Sequence, residues 1–223
     1  MVVVADLADA REAPAIVARA ASAFGPVTLL VNNASIFEAE EAAQFDAAHF
    51  DSLMAVNLRA PLQLSSAFAA ALPAGRAGAI VNVTDQRVWR LNPRFFSYTL
   101  TKSALWTATQ TMAQAFAPRI TVNAVGPGPT LANTVEGEAG FAREAAAVPL
   151  GRGVTPEEVA DAVLYLARAR GAIDSAQEAK LAAALVEVPS RAADALHLDT
   201  QIKAIAEEVS QARDVLYLGR GSS

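Results

Sequence analysis

The chain has 223 residues, 53% hydrophobic and 18% charged, a balance that suits one globular domain or one and a half and excludes a disordered chain. Its net charge of -5 leaves no basic face for nucleic acid or anionic lipid. Cysteine is absent, so disulfides and thiol chemistry are excluded, and with only His49 and His197 no metal site is expected.

The opening "MVVVADLADAREA" turns acidic at once and lacks the basic start of a secretory signal. No apolar run approaches the ~20 residues of a membrane span. A cytoplasmic protein is therefore expected. "VVVAD" is a short apolar run, and "ADAREAPAIVARAASAFG" has apolar residues at helical spacing and stops at Gly25. "VTLLVNNAS" reads as a buried strand followed by small polar residues, and Asp46 to Leu72 as helical. "GAIVNVT" is a strand, residues 98–117 a helix, and "RITVNAV" a strand closed by "GPGP". "TPEEVADAVLYLAR" opens with Thr155 as N-cap, Pro156 in the first turn and Glu158 completing a capping box. Continuous apolar strands alternating with helices imply an α/β fold, a doubly wound parallel sheet covered on both faces. In such sheets ligands bind at the carboxyl ends of the strands. Here those ends carry Asn32 to Ser35, Thr84 and Asp85, and Gly126 to Thr130.

Tyr98 and Lys102 stand four apart and project from one helical face. An ordinary tyrosine titrates near pH ~10, and a neighbouring ammonium lowers that value, so the pair suits a general acid. Asp85 lies thirteen residues before Tyr98, at the mouth of a strand, where it suits either a turn cap or a partner of that pair.

"VNNAS", "VNVTD", "SYTLTK" and "VNAVGPGPT", each after or beside a predicted element and in this order, resemble the short-chain dehydrogenase/reductase family over about residues 2–168. The resemblance implies a Rossmann-like fold and NADPH or NADH as cofactor. It implies that Tyr98 is the catalytic acid and that Lys102 holds the nicotinamide ribose and tunes Tyr98. Asn57, in "MAVNLRAP", matches the proton-relay asparagine. Asn32 and Ala34 match residues along the cofactor, Pro127 and Gly128 the turn beside the nicotinamide amide, and Asp6 the acidic residue near the adenine. Most of the family has serine where this chain has Asp85. Pteridine reductases within the family resemble it there, and also in "NNASIF", where Phe37 matches the aromatic that stacks the pterin and Ser35 a polar contact to it. Thr130, three after Pro127, fits their pattern too. A pterin-like small-molecule substrate follows from the resemblance, with Trp89, Arg90 and Arg94 in the loop edging its pocket. Gln86 and Arg87 receive no role. Self-association through the Tyr98 helix is also implied.

Two departures set further expectations. The match begins at the family's third strand, and no G-x-x-x-G-x-G occurs in the sequence to cradle a pyrophosphate. From about Gly171 the sequence instead resembles the inter-domain segment of glucosamine-6-phosphate synthase, carried by "VPSRAADAL", "IKAIAEEV" and "LYLGRGSS". The expected organisation is a truncated Rossmann-like domain over 1–168 and an appended, mostly helical segment over 169–223, which leaves two alternatives to a reductase: a non-catalytic remnant without cofactor binding, and a sugar-phosphate isomerase-type binding module. "VVVAD" is expected to pair sideways with "TLLVN", or a second copy to cover that edge. "DVLYL" is expected beside "ITVNAV".

Overall fold

The computed structural model describes residues 3–168 and 215–218. Four parallel strands form one sheet in the order β3-β2-β1-β4: β1 Leu29–Asn32, β2 Gly78–Val83, β3 Ile120–Val125 and β4 Val215–Leu218. The apolar runs of β1 to β3 become strands because both of their faces are covered. Leu29, Val31, Ala79 and Val81 pack under Ala160, Val163, Leu164 and Ala167 of α6 (Pro156–Arg168). Leu30, Ile80, Ile120 and Val122 face the other way, onto α1 (Glu12–Phe24) and α3 (Ala60–Ala71) through Ile16, Val17, Leu64 and Phe68. Side chains alternate across a strand, so a run apolar at every position is the mark of a sheet covered twice. The α/β, Rossmann-like reading of the sequence is what the structure shows.

The helical ends follow the local chemistry. Gly25 closes α1 at a φ of 90°, with its N–H donating to the Ala21 carbonyl. Asp46 caps α2 (Ala47–Met54), accepting from the His49 N–H at 2.9 Å. The capping box is formed: the Glu158 N–H donates to Thr155 Oγ1 at 3.2 Å, and the Thr155 N–H to Glu158 Oε2 at 2.8 Å. The stretch expected to be helical from Asp46 to Leu72 contains one wider turn, a π-helical segment over Ala55–Arg59, between α2 and α3. No helix among the described residues is long and apolar enough to cross a membrane.

Two expectations about the sheet edges are corrected. Residues 3–6 of "VVVAD" form no strand. Val3, Ala5 and Leu7 pack against the α1–α3 side of the core while Val4 is 82% exposed, so the segment alternates like a strand but makes no ladder. "VLYL" does join the sheet, yet on the opposite edge from the one expected: Leu29 is in register with Val215 and Asn32 with Leu218, beside β1 and not beside β3. Burial accounts for the choice. β1 is buried at all four positions and β3 at only two of six, so an open edge of β1 would strand backbone groups away from water. The remainder of the tail, His197 included, lies outside the described residues.

Candidate active site

The carboxyl ends of β1, β2 and β3 are tied to one another and to α4 (Phe96–Phe116). The Thr84 N–H donates to the Val125 carbonyl at 2.8 Å, and the Gln86 N–H to the Pro127 carbonyl at 2.9 Å. These bonds bring the Asp85 loop against the Gly126–Pro127–Gly128 turn. Gly126 lets the ring of Trp89 approach closely: a Cβ there would lie 2.9 Å from it. Trp89 itself is 62% exposed, with its ring edge-on to Trp106 at 5.1 Å.

Asp85 uses its two oxygens differently. Oδ1 accepts from the Arg87 N–H at 2.8 Å and so caps the short 3-10 turn Gln86–Val88. Oδ2 accepts from the Tyr98 hydroxyl at 2.9 Å. The two sequence readings of this residue, turn cap and partner of the tyrosine, are therefore both realised. Tyr98 sits in the first turn of α4 and is 5% exposed. Phe37 meets its ring edge-on at 4.7 Å and stacks on Phe95 at 4.5 Å.

Lys102, one turn later, is 2% exposed, and its Nζ donates to the Val83 carbonyl at 2.9 Å. Burial lowers its pKa to about 8, against the opposing pull of the Asp85 carboxylate. Its ammonium lies 5.7 Å from the Tyr98 ring centroid. The expectation that this ammonium brings the Tyr98 pKa down is corrected. Burial pushes the phenol well above its ordinary value of 10.0, and the charge and hydrogen bond of Asp85 push it further. Arg87 and the Ser35 hydroxyl pull the other way without prevailing.

Asn57 is fully buried on the π-helical segment. Its Oδ1 accepts from the Ile36 N–H at 2.7 Å and from the Ser35 hydroxyl at 3.3 Å, while its Nδ2 donates to the Ile36 carbonyl at 2.8 Å and to Thr101 Oγ1 at 3.3 Å. It thus fastens the turn after β1 to the tyrosine helix. Ala34 is buried just before that turn.

Four further predicted residues have the following surroundings. The side chain of Asn32 points into the interior: its Nδ2 donates to Asn82 Oδ1 at 2.8 Å and to Ser65 Oγ at 3.4 Å, and Asn82 in turn donates to Thr109 of α4 at 2.8 Å. It cross-links the sheet beneath the crevice, and only its backbone borders the strand end. Asp6 is exposed and opens a turn, accepting from the Ala8 N–H at 2.8 Å; it ends no strand. Arg90 and Arg94 reach α5 (Gly137–Ala147) and its approach. Arg90 donates to the Ala147 carbonyl at 3.4 Å, and Arg94 pairs with Glu136 at 2.5 Å. Beside them a cavity of about 190 Å³ is lined by Gln86, Arg87, Arg90, Asn92 and Glu144.

Arg87, given no role from sequence, lies at the centre of this assembly. It is 5% exposed, pairs with Glu144 at 2.8 Å and with Asp85 at 3.5 Å, and has its guanidinium 5.1 Å from the Phe37 ring centroid and 4.6 Å from that of Phe95. Nothing in the spacing could tie it to Glu144, 57 residues away. Among the described residues no cluster of His, Asp or Glu could hold a metal ion. His49 pairs with Glu38 at 3.2 Å.

A family profile described as enoyl-(acyl carrier protein) reductase matches residues 1–187. The L-xylulose reductase of Bos taurus is 39% identical over 150 residues, covering 64% of this chain and 61% of that one. FolM alternative dihydrofolate reductase 1 from Brucella canis, solved in complex with NADP, superposes with a TM-score of 0.70 at 45% identity, covering 74% of this chain and 65% of that one. Its counterpart from Brucella suis, also solved with NADP, gives 0.70 at 46% identity, covering 73% and 65%. The chain spans less than two thirds of the length of each of these relatives. It belongs to the short-chain dehydrogenase/reductase family.

Proposed function

We propose that this chain carries the substrate side of an NADPH- or NADH-dependent reductase acting on a flat, pterin-like heterocycle. The observation that supports it most is the Tyr98 hydroxyl donating to Asp85 beside the ring of Phe37. The 45% identity to a protein named an alternative dihydrofolate reductase supports the same substrate class.

The residues at the crevice fit the nicotinamide end of such a cofactor. Lys102 and Ser35 would hold its ribose side, and Pro127 and Gly128 its amide side. At Gly128 an added Cβ would meet only Gln86 Oε1, in ordinary contact at 3.6 Å. When bound, that cofactor supplies hydride to the carbon of a C=N bond. The chain's own residues supply the proton. The Tyr98 O–H bond breaks, an N–H bond forms on the ring nitrogen, and the phenolate left behind is stabilised by the Lys102 ammonium. Asp85 keeps the proton on Tyr98 until substrate arrives, because its negative charge opposes a second one beside it. A ring N–H donating to Asp85 satisfies that charge and frees the hydroxyl for transfer. Asn57 acts by holding the Ser35–Ile36 turn in place. Trp89 borders the opening. Self-association through α4, whose Leu100 is 43% exposed, belongs to the same proposal.

The test is a titration with NADPH that follows quenching of Trp89 and Trp106, then an assay of dihydropterin reduction. As these residues include no glycine-rich turn for the pyrophosphate, saturation is expected only toward millimolar cofactor, with turnover. Absence of turnover at millimolar cofactor would sink the reading.

A further inference from the structure

We infer that Arg87 is a positioning residue for Asp85: it holds one carboxylate oxygen so that the other meets Tyr98, and it is itself held by Glu144 of α5. The inference rests on the proposed role of Asp85 and Tyr98 as the proton-transfer pair.

The geometry is specific. The Arg87 N–H bond to Oδ1 alone leaves the carboxylate free to turn about its Cβ–Cγ bond and carry the second oxygen away from Tyr98. The guanidinium on the Oδ1 side, at 3.5 Å, limits that turn. That guanidinium has little freedom. Its side chain is 7% exposed, it sits against the rings of Phe37 and Phe95, and its other end is paired with Glu144 at 2.8 Å. A planar fork suits this position between two carboxylates, where an ammonium would satisfy one and abandon the other. The same contacts place Arg87 against Phe37, the ring proposed to face substrate. One side chain therefore links α5, the stacking ring and the acid partner of Tyr98.

The charged groups facing Tyr98 are Asp85 and Arg87 from the loop after β2 and Lys102 from its own helix, with Glu144 of α5 behind Arg87. They give the test a diagnostic sign. Removing the charge of Arg87 while Asp85 stays in place moves the Tyr98 titration upward. Letting Asp85 turn away moves it downward, because the carboxylate is what holds the proton on.

The full chain labelled with 13Cζ-tyrosine reads this directly. Y98F assigns the line, and a tyrosine model peptide, titrating near ~10, serves as the ordinary reference. Tyr98 is expected to titrate above that reference. R87Q is expected to lower the Tyr98 midpoint by about one pH unit or more. In a D85N background the same substitution is expected to produce no fall. R87K, which keeps the charge but cannot span both acids, is expected to fall by less. E144Q, which frees the other end of Arg87, is expected to lower the Tyr98 midpoint by less than R87Q does. A midpoint that is unchanged or raised in R87Q overturns the inference, and so does a larger fall in E144Q than in R87Q, which would assign the effect to α5. If R87Q loses its circular dichroism, R87K decides: a Tyr98 midpoint identical to the unsubstituted chain overturns the inference. These readouts need neither cofactor nor turnover, so a chain that fails to reduce pterins sinks the proposed function and still tests Arg87.

Discussion

Asp85 divides its carboxylate between two tasks, one oxygen closing the turn after β2 through the Arg87 N–H at 2.8 Å and the other taking the Tyr98 hydroxyl at 2.9 Å. The residue that caps the turn after β2 is thus also the residue that faces the tyrosine helix. Substitutions can separate the two functions, because asparagine keeps the turn cap and loses the charge.

D85N and Y98F are accordingly expected to leave the fold intact and to remove proton transfer. In each, NADPH oxidation with a dihydropterin should fall by about 10²–10⁴-fold, the usual worth of a positioned acid, while NADPH affinity changes little. Wild-type rates in Y98F would show that the proton comes from elsewhere.

Stability should depend on pH through Lys102 and Tyr98. The Lys102 pKa is lowered from its ordinary 10.5 to about 8 in the folded chain, so the folded state disfavours its charge. That penalty is present in full below about pH 8 and is relieved as pH rises toward 10.5. Tyr98 has the opposite sense. Its raised pKa favours the folded state below 10.0, and that contribution is lost as pH rises through the folded value. Urea unfolding followed by circular dichroism should therefore show stability rising between about pH 8 and 10 and falling beyond. K102M should abolish the rise; a rise that persists in K102M assigns it to another group.

The Asn32–Asn82–Thr109 chain of hydrogen bonds ties the sheet to the tyrosine helix in the interior. N82A removes both partners' bonds at a site that is fully buried. It should cost about 1–3 kcal/mol in urea unfolding, the range for leaving buried polar groups unpaired. A loss below a few tenths of a kcal/mol would mean that Asn32 and Thr109 find new partners.

Gly126 has no room for a side chain as Trp89 now lies, yet Trp89 is 62% exposed and can swing outward. G126A should therefore shift tryptophan emission to longer wavelength with little change in urea midpoint. A large drop in midpoint with unchanged emission would show instead that the β3 turn, not the indole, gives way.

The residue pattern alone determined three strands, the helices between them, the capping box at Thr155 and Glu158, and the Tyr98–Lys102 pairing. Each depends on neighbours in sequence: apolar at every position for a doubly covered strand, a spacing of four for one helical face, an oxygen three residues before an orphan N–H. The tertiary structure decided what such rules leave free. "VLYL" and "VVVAD" are both short and apolar, and only the deep burial of β1 explains why the first joins its edge while the second rests on the helices. The same holds for charge. Spacing says that an ammonium is near Tyr98, but burial and the Asp85 oxygen, supplied by another element, reverse the sign of the shift. Arg87 gains its partners from α5 and from Phe37 and Phe95 across the fold. Desolvation and contact between distant segments exist only once the chain has packed, which is why these properties belong to the fold and not to any stretch of its sequence.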